Sequence, residues 1–160
     1  MAKDKALRQH MLNLLKGSDA HVAFDAVVKN VPADVRGKRP NGAEHSPWEV
    51  LEHLRITLWD ILEFSRNSGH KSPEFPVGYW PGTQAPPNEK AWDQSVQAFR
   101  KDLEALCELV ADESTDLLAI VPHGDGQTIL REALLAADHN AYHLGELVLL
   151  RRLLGAWQSP

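Results

Sequence analysis

Two histidines four residues apart, His139 and His143, stand in the run Asp138-His139-Asn140-Ala141-Tyr142-His143 near the C-terminal end of the sequence. On a helix that spacing puts both side chains on one face, with Cβ atoms roughly 6 Å apart. Two imidazoles so placed can converge on one metal ion. At ~100° per residue and with His139 as zero, His143 falls near 40°. Leu135, Ala136, Leu147, Leu150 and Leu154 lie within about 80° of the same direction. Glu132 and Glu146 join the stripe at about 20° and −20°. A face that only packs does not need two imidazoles and two carboxylates. Paired histidines also occur without function, however, and the Glu of H-E-x-x-H is missing. A third ligand has to come from elsewhere.

His53 is the candidate. On a wheel with His53 as zero, Phe64, Thr57, Val50, Ile61, Leu54, Leu58, Leu51 and Leu62 spread from about 20° to 180°. Glu52, Arg55, Glu63 and Arg66 occupy the other side, so His53 sits at the margin of a buried face. Bundle metal sites are built from side chains that project inward from facing helices. Three neutral imidazoles with one open position are the donor set of catalytic zinc, which makes bound water ionise near neutral pH. Glu146 can orient a ligating imidazole from behind or act on the bound water; it can equally be a solvated carboxylate at the rim. His10, His21, His45 and His70 read as surface or capping residues. His123, in the turn Pro122-His123-Gly124-Asp125-Gly126, fits either a pocket rim or simple turn chemistry.

The elements that must position these residues are helical. Residues 3–16 predict a first amphipathic helix through Leu7, Met11, Leu14 and Leu15. Gly17 interrupts it, and Ser18 or Asp19 can cap a second segment carrying Val22, Phe24, Val27 and Val28, either a separate helix or the rest of a broken one. Residues 31–45 read as a loop. Ser46-Pro47-Trp48-Glu49 is a strong helix start, with Ser46 as N-cap, proline at the first helical position and Glu49 completing a capping box. That helix runs to about Asn67. Residues 69–88 hold Pro73, Pro76, Pro81, Pro86 and Pro87 with Tyr79 and Trp80, which excludes a regular element. A loop this long in a compact domain is usually functional or disordered. Its aromatics fit a lid or a set of pins that hold the connection to the bundle. A further helix spans about Asn88 to Ala111, with Trp92, Val96, Phe99, Leu103, Leu106 and Val110 on one face and Cys107 among them as a small core residue. Asp125 or Thr128 caps the last helix, which ends at Gly155 with Arg151 and Arg152 favourable in its final turns.

The 160 residues predict one all-α domain, a helical bundle over 1–160. A net charge of −5 speaks against nucleic acid as a partner. A single cysteine excludes an internal disulfide framework and suits a reducing cytoplasm. No apolar run approaches membrane-spanning length. There is no Gly-rich phosphate loop, no G-x-S-x-G elbow and no C-x-x-C pair. No Glu lies three before His139 or His143, which argues against a di-iron bundle.

Trp48-Glu-Val-Leu-Glu-His53-Leu followed by Asp138-His139-Asn-Ala-Tyr-His143-Leu-Gly-Glu-Leu resembles the DinB-like (DinB/YfiT) superfamily, and the likeness runs from the first helix to about Gly155. The resemblance implies a four-helix bundle with a long Pro-rich connection between the second and third main helices, often a homodimer. It also implies one divalent metal, nickel or zinc in many members, held by His53, His139 and His143. Family activities include thiol-dependent S-transferases that use low-molecular-weight thiols, a maleylpyruvate isomerase and proteins that resemble metal-dependent hydrolases. These imply a small-molecule substrate. The rival implication is a non-catalytic, stress-related bundle with a structural or vestigial site. One departure is visible: the common His-x-Gly-Gln ending reads here His143-Leu144-Gly145-Glu146, which puts a carboxylate beside the ligand set.

Overall fold

The computed structural model describes residues 2–17 and 20–158. Among them are α1 (Ala2–Lys16), α2 (Phe24–Val28), α3 (Pro47–Arg66), α4 (Ala91–Ala111) and α5 (Ile129–Leu153). Among the described residues there is no strand, only an isolated bridge between Ile120 and Thr128. The four long helices form an all-α bundle in which α1 packs on α4, α4 on α3, α3 on α5 and α5 back on α1. Trp92, Phe99, Leu106 and Val110 of α4 meet Leu51, Leu54, Leu58 and Leu62 of α3 and Leu147 of α5, all fully or almost fully buried. Cys107 joins this core, and burial pushes its thiol up, away from nucleophile chemistry.

The start of α3 is built as the sequence predicts. The Ser46 hydroxyl accepts from the Glu49 N–H at 3.2 Å, and the Ser46 N–H donates to Glu49 Oε2 at 2.8 Å, with Pro47 at the first position. Two of the orphan donors of a helix start are thereby satisfied. The box has an addition the sequence did not suggest, because Arg39 also donates to both Glu49 oxygens. Burial alone would raise the Glu49 carboxyl, but Arg39 and the Ser46 N–H outweigh it and hold it below the usual carboxylate range. A folded-state value below the unfolded one gives stability that is present above the ordinary carboxylate range and lost as pH falls through the folded value. Glu49→Gln keeps a capping side chain and loses only the charge. The variant is therefore expected to be about 1 kcal/mol less stable than wild type at pH 7. The gap should narrow as pH falls below the ordinary carboxylate range, read by urea denaturation across a pH series, and a gap that persists unchanged in acid would contradict the ion-pair account.

The other helix ends show what spacing alone left open. The second segment is a separate helix: α2 starts at Phe24, with extended Ala23 ahead of it and no side-chain cap. Ser18 and Asp19, the predicted caps, lie outside the described residues. At α5, Thr128 rather than Asp125 is the cap, its hydroxyl accepting from Arg131 N–H at 3.2 Å. The far end closes in a Schellman arrangement. Gly155 adopts φ +68°, its N–H donates to Arg152 O at 3.1 Å, and Ala156 N–H donates to Arg151 O at 2.8 Å. Arg151 does more than complement the helix dipole. Its buried guanidinium donates to Val27 O at the end of α2 (2.6 Å) and to Ala156 O (2.7 Å), so α5 holds both α2 and its own exit.

Residues 67–90 join α3 to α4 and contain one 3₁₀ turn, Val77–Tyr79. This segment is tied down rather than loose. Ser46 Oγ donates to Gln84 O at 2.6 Å, Trp48 Nε1 to Thr83 Oγ1 at 3.3 Å, and Gln84 Nε2 to Gly37 O at 2.9 Å. A Cβ on Gly78 would lie 2.7 Å from Pro73 Cβ, so only glycine lets the turn close on the proline before it. The strap is thereby laid across the N-terminal half of α3, where His53 lies.

Candidate metal centre

His139 and His143 stand one turn apart on α5, ring centroids 4.6 Å apart. His53, from α3, faces both, at 4.8 Å from the His139 ring and 4.5 Å from the His143 ring. One ligand atom from each of the three lies within 4.8 Å of the others. The close packing of α3 on α5 is what brings a residue 86 positions away in sequence into the pair.

The protons can be placed on two rings. His53 Nδ1 is 2.8 Å from the Tyr79 carbonyl, an acceptor only, so Nδ1 carries the hydrogen and Nε2 keeps its lone pair. His143 Nδ1 is 2.8 Å from Glu146 Oε2, which fixes the same tautomer. His139 has no such support: its Nδ1 is buried without a partner, as are both amide atoms of neighbouring Asn140. Burial, then the two neighbouring imidazoles, push His139 down to about 3, and burial lowers His53 as well. These two rings are therefore neutral at neutral pH. His53 Nε2 and His139 Nε2 are 3.0 Å apart. Two lone pairs at that distance repel unless a proton or a cation lies between them. Two imidazole nitrogens bound at about 2.1 Å to one ion stand roughly 3.0–3.4 Å apart, so the spacing fits a shared metal. The three histidines could hold a metal ion.

Around the triad stand residues that periodicity did not single out. Trp80 is parallel to His53 at 4.0 Å (4°) and to His45 at 3.8 Å (11°). Two rings so close cannot share one face of an indole, so Trp80 is sandwiched between the two imidazoles. His45, expected at the surface or as a cap, also places Nδ1 3.3 Å from Glu146 Oε1. Glu146 thus links His45 to His143, and the hydrogen bonds to these imidazoles, against the cost of burial, hold its carboxyl below the usual range. His70, also expected at the surface, is half-buried, its ring covered and paired with Asp60 at 2.7 Å. His10 and His21 are exposed as expected. His123 ties its turn to the end of α3 through the Phe64 carbonyl, at 2.8 Å. The one hint in the sequence was position: His45 immediately precedes the capping box that sets the direction of α3.

A groove of about 570 Å³ lies against this corner, lined by Leu149, Leu150 and Leu153 and by His45, His143 and Glu146. His53 and His139 do not line it. A second groove of about 530 Å³, beside Phe24, Leu103 and Cys107, shares no residue with the histidine cluster.

The class is thus an all-α bundle in which two facing helices bring together three imidazoles that could hold a metal ion. Residues 17–147 match the family model of the DinB superfamily, and the chain belongs to that superfamily. The match begins after α1 and contains His53, His139, His143 and Glu146. No curated protein and no solved structure matches the chain. Among the described residues no helix is long and apolar enough to cross a membrane.

Proposed function

We propose that this protein is a metal-dependent enzyme that acts on a small molecule, with one divalent ion, nickel or zinc, held by His53, His139 and His143. The observation that carries the reading is the pair of preset tautomers. Tyr79 O and Glu146 each hold an Nδ1–H, so His53 and His143 both keep a free Nε2 lone pair, that of His53 3.0 Å from His139 Nε2. Ligating histidines ordinarily donate their second N–H in this way, often to a carboxylate. A metal bound there would supply Lewis acidity, making a bound water or thiol acidic enough to attack an electrophile near neutral pH. Glu146 orients His143 and reaches His45, which faces the groove; Trp80 shields one face of His53 from water. The groove's apolar wall suits a small organic substrate, and a low-molecular-weight thiol would serve as cosubstrate in a transferase of this kind. A homodimer is part of the same reading, and a cytoplasmic setting would suit the single thiol.

A second reading has its own observation. His53 is covered by Trp80 and neither His53 nor His139 lines the groove, which favours a structural or vestigial metal site in a non-catalytic bundle. Elemental analysis of untagged protein tests the shared premise. About one equivalent of metal per chain is expected; no metal after incubation with zinc and with nickel would overturn the enzyme and the structural metal site and leave a bundle with a vestigial triad. Exchange of the ion within minutes on adding a chelator, together with turnover of thiol-transfer or hydrolytic substrates, separates the enzyme from the structural site.

A further inference from the structure

His53 and Asp60 are seven residues apart on α3, close to two turns, so they share a face about 10 Å apart along the axis. One residue of the strap, Tyr79, touches both. Its phenol donates to Asp60 Oδ2 at 2.6 Å, while its backbone carbonyl accepts from His53 Nδ1 at 2.8 Å. Asp60 is buried, and its other oxygen takes the His70 ring at 2.7 Å. The next residue, Trp80, continues the line by stacking on the His53 ring. The contacts form a single path: carboxylate, phenol, carbonyl, imidazole.

We propose that Asp60 is a positioning residue for the metal centre, acting through Tyr79 to fix the tautomer and orientation of His53. The inference rests on the metal-centre reading for its consequence, although the path itself can be tested without metal. The chemistry of each link is specific. A carboxylate accepts only, so Tyr79 must donate, and burial with the adjacent carboxylate pushes its phenol up to about 12, which keeps the proton in place. With the phenol anchored, the Tyr79 peptide is held at both ends and its carbonyl has little freedom to leave His53. Without the anchor, the carbonyl would depend on the turn's own bonds, Tyr79 N–H to Pro76 O at 3.2 Å and a long Trp80 N–H to Val77 O at 3.4 Å, and on the Trp80 stack. Supports behind a ligand usually change metal affinity 10–100-fold when removed.

The alternative is that Asp60 only pins the strap. His70 separates the two, because it binds the same carboxylate yet makes no contact with His53 or Tyr79's carbonyl. Metal affinity and thermal stability are measured for wild type, Tyr79→Phe, Asp60→Leu and His70→Leu. Tyr79→Phe removes one oxygen and leaves the backbone in place, so it keeps the question open if Asp60→Leu fails to fold. Tyr79→Phe and Asp60→Leu are expected to weaken zinc binding about 10-fold, and His70→Leu less than 2-fold at a comparable loss of thermal stability. In the metal-free protein, two-bond ¹H–¹⁵N spectra should show His53 as a fixed Nδ1–H tautomer in wild type and as a tautomer mixture in Tyr79→Phe. If Tyr79→Phe leaves both zinc affinity and the His53 spectrum unchanged, or if His70→Leu weakens zinc as much as Tyr79→Phe, the proposal is wrong. Should wild type bind no zinc, the metal-centre reading fails separately and the metal-free spectra alone decide whether Asp60 and Tyr79 hold His53.

Discussion

His139→Ala is expected to abolish metal binding while the protein stays folded. In the proposed site His139 Nε2 lies 3.0 Å from His53 Nε2, and the His139 ring is one turn from His143. Its removal leaves two imidazoles, and two ligands do not close a coordination shell of the kind such ions adopt. Metal that binds only the folded state at a hundredfold excess over Kd stabilises by about 2.7 kcal/mol. For a chain of this size that is roughly 5–10 °C in Tm. Zinc should therefore raise the melting temperature of wild type by that amount and leave His139→Ala unmoved. The metal-free variant should melt close to metal-free wild type. The imidazole it loses carries a buried Nδ1 with no partner, so relief of that desolvation offsets much of the packing lost. His10→Ala, at an exposed histidine outside the cluster, is the control and should keep the full zinc response. Equal zinc shifts in His139→Ala and wild type would remove the triad as the binding site.

The parts of this site that could be read from sequence are those governed by a period. His139 and His143 are four apart and His53 sits at the edge of an apolar stripe, so helix geometry alone places each on an inward face. Ser46 and Glu49 are legible for a similar reason, since the capping box is a contact between residues three apart. Tyr79, Trp80 and His45 belong to segments with no period. Nothing in their spacing says that a strap from 67–90 crosses α3 at His53, or that an indole lies between two imidazoles contributed by different segments. The strap's aromatics fitted two accounts, a lid or a set of pins, and the structure divides them between residues: Tyr79 pins, Trp80 covers. Asp60 and His70 were hidden for a related reason. Each looks like an ordinary polar residue on its own segment, and only their contact across the α3 exit makes a buried pair. The departure noted at Glu146 proves to matter locally, because its two oxygens bridge His143 and His45, and an amide in its place could accept through only one of them.

Arg8→Ala is expected to be the most destabilising single change at a polar residue outside the site. Arg8 looks like part of the polar face of an amphipathic N-terminal helix, four residues from Asp4, where an exposed i,i+4 pair would be worth a few tenths of a kcal/mol. The guanidinium is instead buried. Nη1 donates to Val110 O at 2.7 Å and to Asp112 O at 2.8 Å, and Nη2 donates to Thr115 O at 2.6 Å. These carbonyls belong to the end of α4 and the turn beyond it, where helix geometry leaves the last acceptors without partners. Arg8 therefore caps α4 from α1, joining two helices that are adjacent in the bundle and about a hundred residues apart in sequence. Truncation leaves the Val110 and Thr115 carbonyls unpaired at a partly buried junction, while Asp112 O keeps its bond from Thr115 N–H at 3.0 Å. At about 1 kcal/mol or more for each lost partner, a loss of about 2 kcal/mol or more is expected from chemical denaturation. Arg8→Lys should recover little of it, because one ammonium on a flexible stem cannot span three carbonyls as a planar fork does. Asp4→Asn should cost under about 1 kcal/mol, since that partner is half-exposed and makes only the outer contact. A loss below about 1 kcal/mol in Arg8→Ala, or equal losses in Arg8→Ala and Asp4→Asn, would mean that the Asp4 pair and not the α4 carbonyls is what Arg8 contributes.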